Sequence, residues 1–169
     1  MHRYNLLPGA SEIGLGLSRI IDSAQNPAVH GGPTPRVIHG DDMISVHQTE
    51  MEFINFDLVS PPIKAIPLIT CAAVIMGSMD PHAALRGVVY HALSGVISAA
   101  TIGAMHNGIG GGPVNSLLAL YVVPKPWDAN YQDDSMNLER YGIPPDNVAY
   151  IADLPYSTFG MNSFGQVGF

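Results

Sequence analysis

The chain's only cysteine, Cys71, and a histidine twenty residues further on, His91, are the two side chains best suited to covalent chemistry. A thiol becomes a useful nucleophile as the thiolate, and a neighbouring imidazole can take its proton. Both lie in the stretch Leu68–Gly95, LITCAAVIMGSMDPHAALRGVVYHALSG. This reads as two apolar strands, about 70–76 and 87–92, joined by a connector around Asp80-Pro81. An antiparallel hairpin in which Met76 faces Arg86 pairs residues whose numbers sum to 162, and so sets Cys71 opposite His91. Directly opposed side chains share a face with Cβ atoms roughly 4.5–5.5 Å apart. A slip of one residue would send one of them to the other face.

A working Cys–His pair also needs a group that orients the imidazole. Thr70, Ser60 and the carbonyls of residues 60–66 are within reach of the expected hairpin, and the sequence does not choose among them. Cys71 follows a Pro-rich loop and opens its strand, where amide groups are often free to face a reacting oxygen. The competing reading is a small, buried, inert cysteine and a histidine satisfied by main chain.

Other constellations are weaker. The seven histidines stand at 2, 30, 39, 47, 82, 91 and 106, with no H-x-x-x-H pair. His39 with Asp41 and Asp42, or His47 with Glu50, offers metal-type donors that turn and strand-surface positions explain equally. No metal and no cofactor is expected. His82, on the connector, and His106, after the uncharged run, are alternative partners for Cys71. Gly108–Pro113, GIGGGP, lacks the Lys-Ser/Thr of a phosphate loop and reads as a turn needing positive φ. The aromatics Tyr156, Phe159, Phe164 and Phe169 read as core seals.

Several elements must position the pair. Ser11–Gln25 has the spacing of an amphipathic helix capped by Ser11, and 26–35 is loop. Arg36–Ile38 and Met43–Val46 flank a turn at 39–42, and Met51–Val59 alternates as a half-solvated strand. Pro61, Pro62 and Pro67 break the ladder before the cysteine strand. Ser94–Met105 reads as a buried helix capped by Ser94 in preference to another strand, Asn115–Val123 as a strand, Ser135–Tyr141 as a short helical turn, and Val148–Leu154 as a late strand. The sum is an α+β fold, with packed, mostly antiparallel sheets forming a sandwich-like core flanked by helices. Residues 1–169 form one expected domain, with its core at about 36–123 and a Pro-, Gly- and aromatic-rich extension at 124–169.

Composition narrows the partners. Of 169 residues 47% are hydrophobic and only 12% charged, and the net charge is −7. An acidic chain is poorly suited to nucleic-acid backbones or anionic membranes. From Gly87 to Pro124 there is no charged residue, yet the longest clean piece, Ala92–Met105, has 14 residues. That is short of the roughly 20 a spanning helix needs, so core is expected and a membrane span is not. One cysteine excludes an internal disulfide. The N-terminus, MHRYNLLPGASEIG, has no continuous apolar region, so no cleaved signal peptide is expected.

Cys71-Ala-Ala-Val-Ile-Met, then Asp80-Pro81, then Gly87-Val88-Val89-Tyr90-His91 resembles the core of the CheD chemoreceptor glutamine deamidases. It is also similar in plan to deamidase toxins of the cytotoxic necrotizing factor type. The resemblance covers about residues 36–95. It implies hydrolysis of a glutamine carboxamide on a partner protein, with Cys71 as nucleophile and His91 as general acid and base. Where CheD proteins carry Gly-Ser before the cysteine this chain has Ile69-Thr70, and Thr70 stands as a third candidate on the residues alone. Transglutaminase or thiol-peptidase chemistry would use the same pair. Where CheD proteins carry a functional Thr, this chain has Ala65, so that role is vacant or passes to main chain. The implied setting is a bacterial effector or toxin, cytoplasmic or secreted without a cleaved signal and delivered to a target cell. The alternative is a non-catalytic secreted or particle-associated binding module with a buried structural cysteine, and oligomeric state is left open.

Overall fold

The uncharged run from Gly87 to Pro124 turns out to supply the layers of a packed core. A computed structural model of the protein describes residues 43–56, 58, 60–80, 86–153, 156–163, 165 and 167–168. The expected helix at 11–25, the strand at 36–38, the turn at 39–42 and the candidates His2, His30, His39 and His82 lie outside these residues, as do Phe164 and Phe169.

Nine strands are described, and they form two sheets. Strands β1 (Ile44–Val46), β3 (Ile63–Ala65), β8 (Phe159–Met161) and β9 (Val167–Gly168) form one, in the order β1-β3-β8-β9. Strands β2 (Met51–Asn55), β5 (Arg86–Ala92), β4 (Ala72–Ser78), β6 (Leu117–Val122) and β7 (Val148–Ile151) form the other, in the order β2-β5-β4-β6-β7. Only β1–β3 and β6–β7 pair in parallel. Two α-helices, α1 (Ala99–Gly108) and α2 (Ala129–Tyr141), and three short 3-10 turns complete the described elements. This is the α+β fold expected, with packed, mostly antiparallel sheets.

Strand β4 is apolar on both faces because both are covered, and Ala72 to Met76 are each 0% exposed. Alternate residues go to opposite sides of a sheet. Cys71, Ala73, Ile75 and Val89 join Val46, Ile63, Ala65 and Phe159 in the cluster between the sheets. Ala72, Val74, Met76, Val88 and Tyr90 join Ile102, Met105, Tyr131 and Leu138 beneath the helices. A sandwich covered by helices on one face follows directly from a core strand with no polar side.

Several boundaries differ from expectation. Helix α1 starts after Ser98, whose Oγ accepts the Thr101 N–H at 3.1 Å. Ser94 instead sits in a 3-10 turn, 93–95, at φ 53°. The predicted short turn near 135 is the last half of α2, a 13-residue helix capped by Asp128 Oδ1 on the Tyr131 N–H at 3.0 Å. The stretch read as an extension, 124–169, is integral: β7 joins the larger sheet and β8–β9 the smaller. Gly110, Gly111 and Gly112 all have positive φ, as the turn reading of GIGGGP requires.

Two glycines give a direct test of the packing. A Cβ on Gly160 would fall within the Ile63 carbonyl oxygen and lie 2.6 Å from Lys64 Cα, so backbone must move. Gly160→Ala is expected to destabilise by about 3 kcal/mol or more, the upper range of overpacking. A Cβ on Gly103, in α1, meets only the Tyr141 hydroxyl oxygen at 3.7 Å and ring carbon at 3.9 Å. Gly103→Ala is expected to stabilise by about 0.5–1 kcal/mol. Urea denaturation of the two variants reads both signs.

Candidate active site around Cys71 and His91

The hairpin register differs from the expected one by two residues. Ala73 lies opposite His91 and Ala72 opposite Ala92, so paired numbers sum to 164. The cause is that β4 does not stop at Met76. It continues through Gly77 and Ser78, which pair with Leu118 and Leu117 of β6, while the Ser78 and Ser116 hydroxyl oxygens lie 3.2 Å apart. An even slip keeps every side chain on its face. Cys71 and His91 therefore both point between the sheets, but as diagonal neighbours, a relation typically about 7–8 Å between Cα atoms, not as a directly opposed pair.

His91 is held by one short segment, Val46–Glu50, which crosses from the smaller sheet to the larger. The Thr49 N–H donates to the His91 carbonyl at 2.8 Å, and the His91 N–H donates to the Glu50 carbonyl at 3.0 Å. Its ring Nδ1 lies 2.8 Å from the Val46 carbonyl oxygen, which also accepts the Ile66 N–H at 3.2 Å. A carbonyl can only accept, so Nδ1 carries the proton, and in the neutral ring Nε2 is a bare lone pair. His91 is 0% exposed, and Nε2 is the one buried side-chain nitrogen or oxygen among the described residues with no hydrogen-bond partner. Leaving such an acceptor unmet typically costs about 1–3 kcal/mol. Burial, opposed by the Val46 bond and reinforced by His47, pushes the His91 pKa below its ordinary value. The ring is thus held neutral, in the tautomer of a proton acceptor.

The segment is built as a turn. The Glu50 N–H donates to the His47 carbonyl, and a Glu50 carboxylate oxygen accepts the His47 N–H at 3.1 Å. Thr49 sits at φ 67°, a left-handed conformation costing a non-glycine residue about 1–3 kcal/mol. This accounts for His47 and Glu50 as turn residues. Their neighbour Gln48 reaches Cys71, its Nε2 donating to Sγ at 3.5 Å.

The thiol is enclosed. Cys71 is 1% exposed, and no hydrogen bond joins Sγ to His91 Nε2. Thr70 does not orient the imidazole. Its side chain faces solvent, and its carbonyl accepts the Tyr131 hydroxyl at 3.0 Å. The orienting group is the Val46 carbonyl, outside the 60–66 range expected. Burial first, then the Asp128 carboxylate and Cys71, push the Tyr131 pKa up, which keeps its O–H a donor. Ile69, Leu93 and Val96 are exposed where this hairpin end meets solvent. His106 belongs elsewhere: Nδ1 meets the Tyr141 hydroxyl at 3.0 Å and Nε2 the Gly112 carbonyl at 2.9 Å, which pins the glycine loop. Gln48 and Val46 carried no motif. The only hint was a polar tetrad, His47-Gln48-Thr49-Glu50, set between two apolar strands.

Among the described residues no helix is long and apolar enough to cross a membrane. Compared with family models and with curated proteins, the chain matches none.

The depressed His91 pKa makes stability depend on pH with a defined sign. The unfolded ring takes its proton near the ordinary value of 6.5, the folded ring only at lower pH. Between these values the unfolded state binds more protons, so stability is full above about pH 6.5 and falls as pH drops through the folded pKa. His91→Asn keeps a donor near Val46 and removes the titration. Urea midpoints between pH 5 and 7 are expected to slope less in the variant than in the parent.

Proposed function

We propose that this protein is a cysteine-dependent hydrolase that converts a glutamine side chain on a partner protein to glutamate. The observation that carries the reading is the unpartnered, buried Nε2 of His91, fixed as an acceptor on the face it shares with the chain's only thiol. Most buried side-chain nitrogens have a partner, so an unmet Nε2 asks for an explanation, and a proton-accepting role supplies one. The contact from Gln48 adds support, since it is a primary carboxamide that already lies against the sulfur.

In this reading a substrate carboxamide replaces Gln48, and Sγ passes its proton to Nε2. The thiolate adds to the amide carbon, and imidazolium returns the proton to nitrogen as ammonia leaves. A γ-glutamyl thioester remains on Cys71. Water then gives a proton to Nε2 and adds to the thioester carbon, the C–S bond breaks, and glutamate and thiol are released. The Val46 carbonyl keeps Nε2 aimed through both proton transfers and stabilises the charged ring between them. A protein substrate suits the exposed apolar residues Ile69, Leu93 and Val96 at the hairpin end. The resemblance to delivered deamidase toxins extends the proposal to a bacterial effector acting in a target cell.

A second reading has its own observation. Cys71 at 1% exposure, with no bond to His91, is what a non-catalytic binding module with an inert core cysteine would have. Alkylation separates the two. With native protein and iodoacetamide, the hydrolase reading predicts labelling of Cys71 well below pH 8 that slows about 10²-fold or more in His91→Asn, the usual reach of a general base. Ammonia release from benzyloxycarbonyl-Gln-Gly is expected from the parent and lost in Cys71→Ala. Labelling that occurs only on global unfolding would leave the binding module standing.

A further inference from the structure

We propose that Gln48 is itself a substrate of Cys71, so that the protein deamidates its own chain and carries glutamate at position 48. The inference rests on the hydrolase reading and adds to it an activity in cis. Three features support it. Gln48 offers a primary carboxamide whose nitrogen is 3.5 Å from Sγ. Its turn is clamped, because Thr49 and Glu50 are hydrogen-bonded to the backbone of His91, so nucleophile, amide and base are carried by one tied assembly. Such tethering replaces a bimolecular encounter and can be worth an effective concentration of about 10⁵ M or more when alignment is good. Finally, His91 Nε2 is a buried lone pair with no partner, available to receive the thiol proton. Gln48 is itself solvent-exposed, which gives water a way in and ammonia a way out.

The step balances without another reagent. Sγ–H loses its proton to Nε2, the S–Cδ bond forms, and the Cδ–Nε2 bond of Gln48 breaks as His91 returns the proton to departing ammonia. The product is a thioester linking residues 48 and 71. Water, deprotonated by His91, cleaves it to a glutamate carboxylate at position 48 and a free thiol. The net change is glutamine plus water to glutamate plus ammonia, with no oxidation. The Cδ carbonyl must turn towards the sulfur for attack, a rotation about side-chain bonds of an exposed residue.

The test is peptide mass mapping of the full chain, incubated near pH 7 in ordinary and in ¹⁸O water, with iodoacetamide labelling measured in parallel. The expected result is a gain of about 1 Da at residue 48 in ordinary water and about 3 Da in ¹⁸O water, by acyl-enzyme hydrolysis. Cys71→Ala and Cys71→Ser should retain glutamine, and His91→Asn should slow conversion about 10²-fold or more. Hydroxylamine should trap the acyl group as a hydroxamate at residue 48. Conversion at equal rates in parent and Cys71 variants would overturn the inference as ordinary chemical deamidation. Retention of Gln48 in a parent whose Cys71 alkylates rapidly would overturn it while leaving the hydrolase reading intact. Retention with an inert Cys71 would remove both.

Discussion

One contact, from Nδ1 of His91 to the carbonyl of Val46, ties the larger sheet to the smaller and decides what the buried imidazole can do. The carbonyl belongs to the last residue of β1, so the orientation of a ring on β5 depends on how the two sheets are stacked. Because that oxygen has two lone pairs, it also holds the Ile66 N–H leading out of β3. Moving either sheet therefore disturbs the histidine, and moving the histidine leaves the Val46 carbonyl with the Ile66 N–H alone as donor. The remaining ring nitrogen is directed into the interior with no partner, a cost that the packing on every side sustains.

The rest of the fold can be understood as the means of keeping that arrangement dry. Strands β4, β5 and β6 are buried on both faces because the smaller sheet covers one and the helices cover the other. That is why 38 consecutive residues can do without charge, and among the described residues no helix is long and apolar enough to cross a membrane. Four acidic residues, Asp128, Asp133, Asp134 and Glu139, gather on α2 and its cap, where Asp128 caps the helix and Asp133 pairs with Arg140 at 3.2 Å on the surface. Exposed ion pairs of that kind add little stability. Burial gives His91 its depressed pKa, and the turn at 47–50 is hydrogen-bonded to its backbone.

Layering and strand content were legible in the sequence because alternation and continuous apolar runs report burial directly. The same periodicity explains why Cys71 and His91 were assigned to one face correctly while their register was off by two residues. A period of two is blind to even slips, and the strand expected over about 70–76 runs on through Gly77-Ser78, which pair with β6. Helix α2 was shortened because Asp, Asn and Ser have weak intrinsic helix preference, and its stability comes from the Asp128 cap and from Tyr131 and Leu138 packed on the sheet. The orienting group was out of reach for a different reason. A main-chain carbonyl has no residue signature, and Val46 meets His91 only through the stacking of two sheets. Gln48 was hidden likewise, since a left-handed Thr49 turns it back onto a thiol 23 residues away.

The central claim is that His91 is a neutral Nδ1–H imidazole with a bare Nε2, the nitrogen proposed as the base for Cys71. Nitrogen-15 NMR of the histidine side chains at neutral pH tests it most directly, with His91→Asn used to assign the resonances. The account predicts a protonated Nδ1, an Nε2 with the shift of a bare ring nitrogen, and a titration midpoint below that of a free histidine. A ring protonated at Nε2 with Nδ1 bare, or one charged at pH 7, would contradict it.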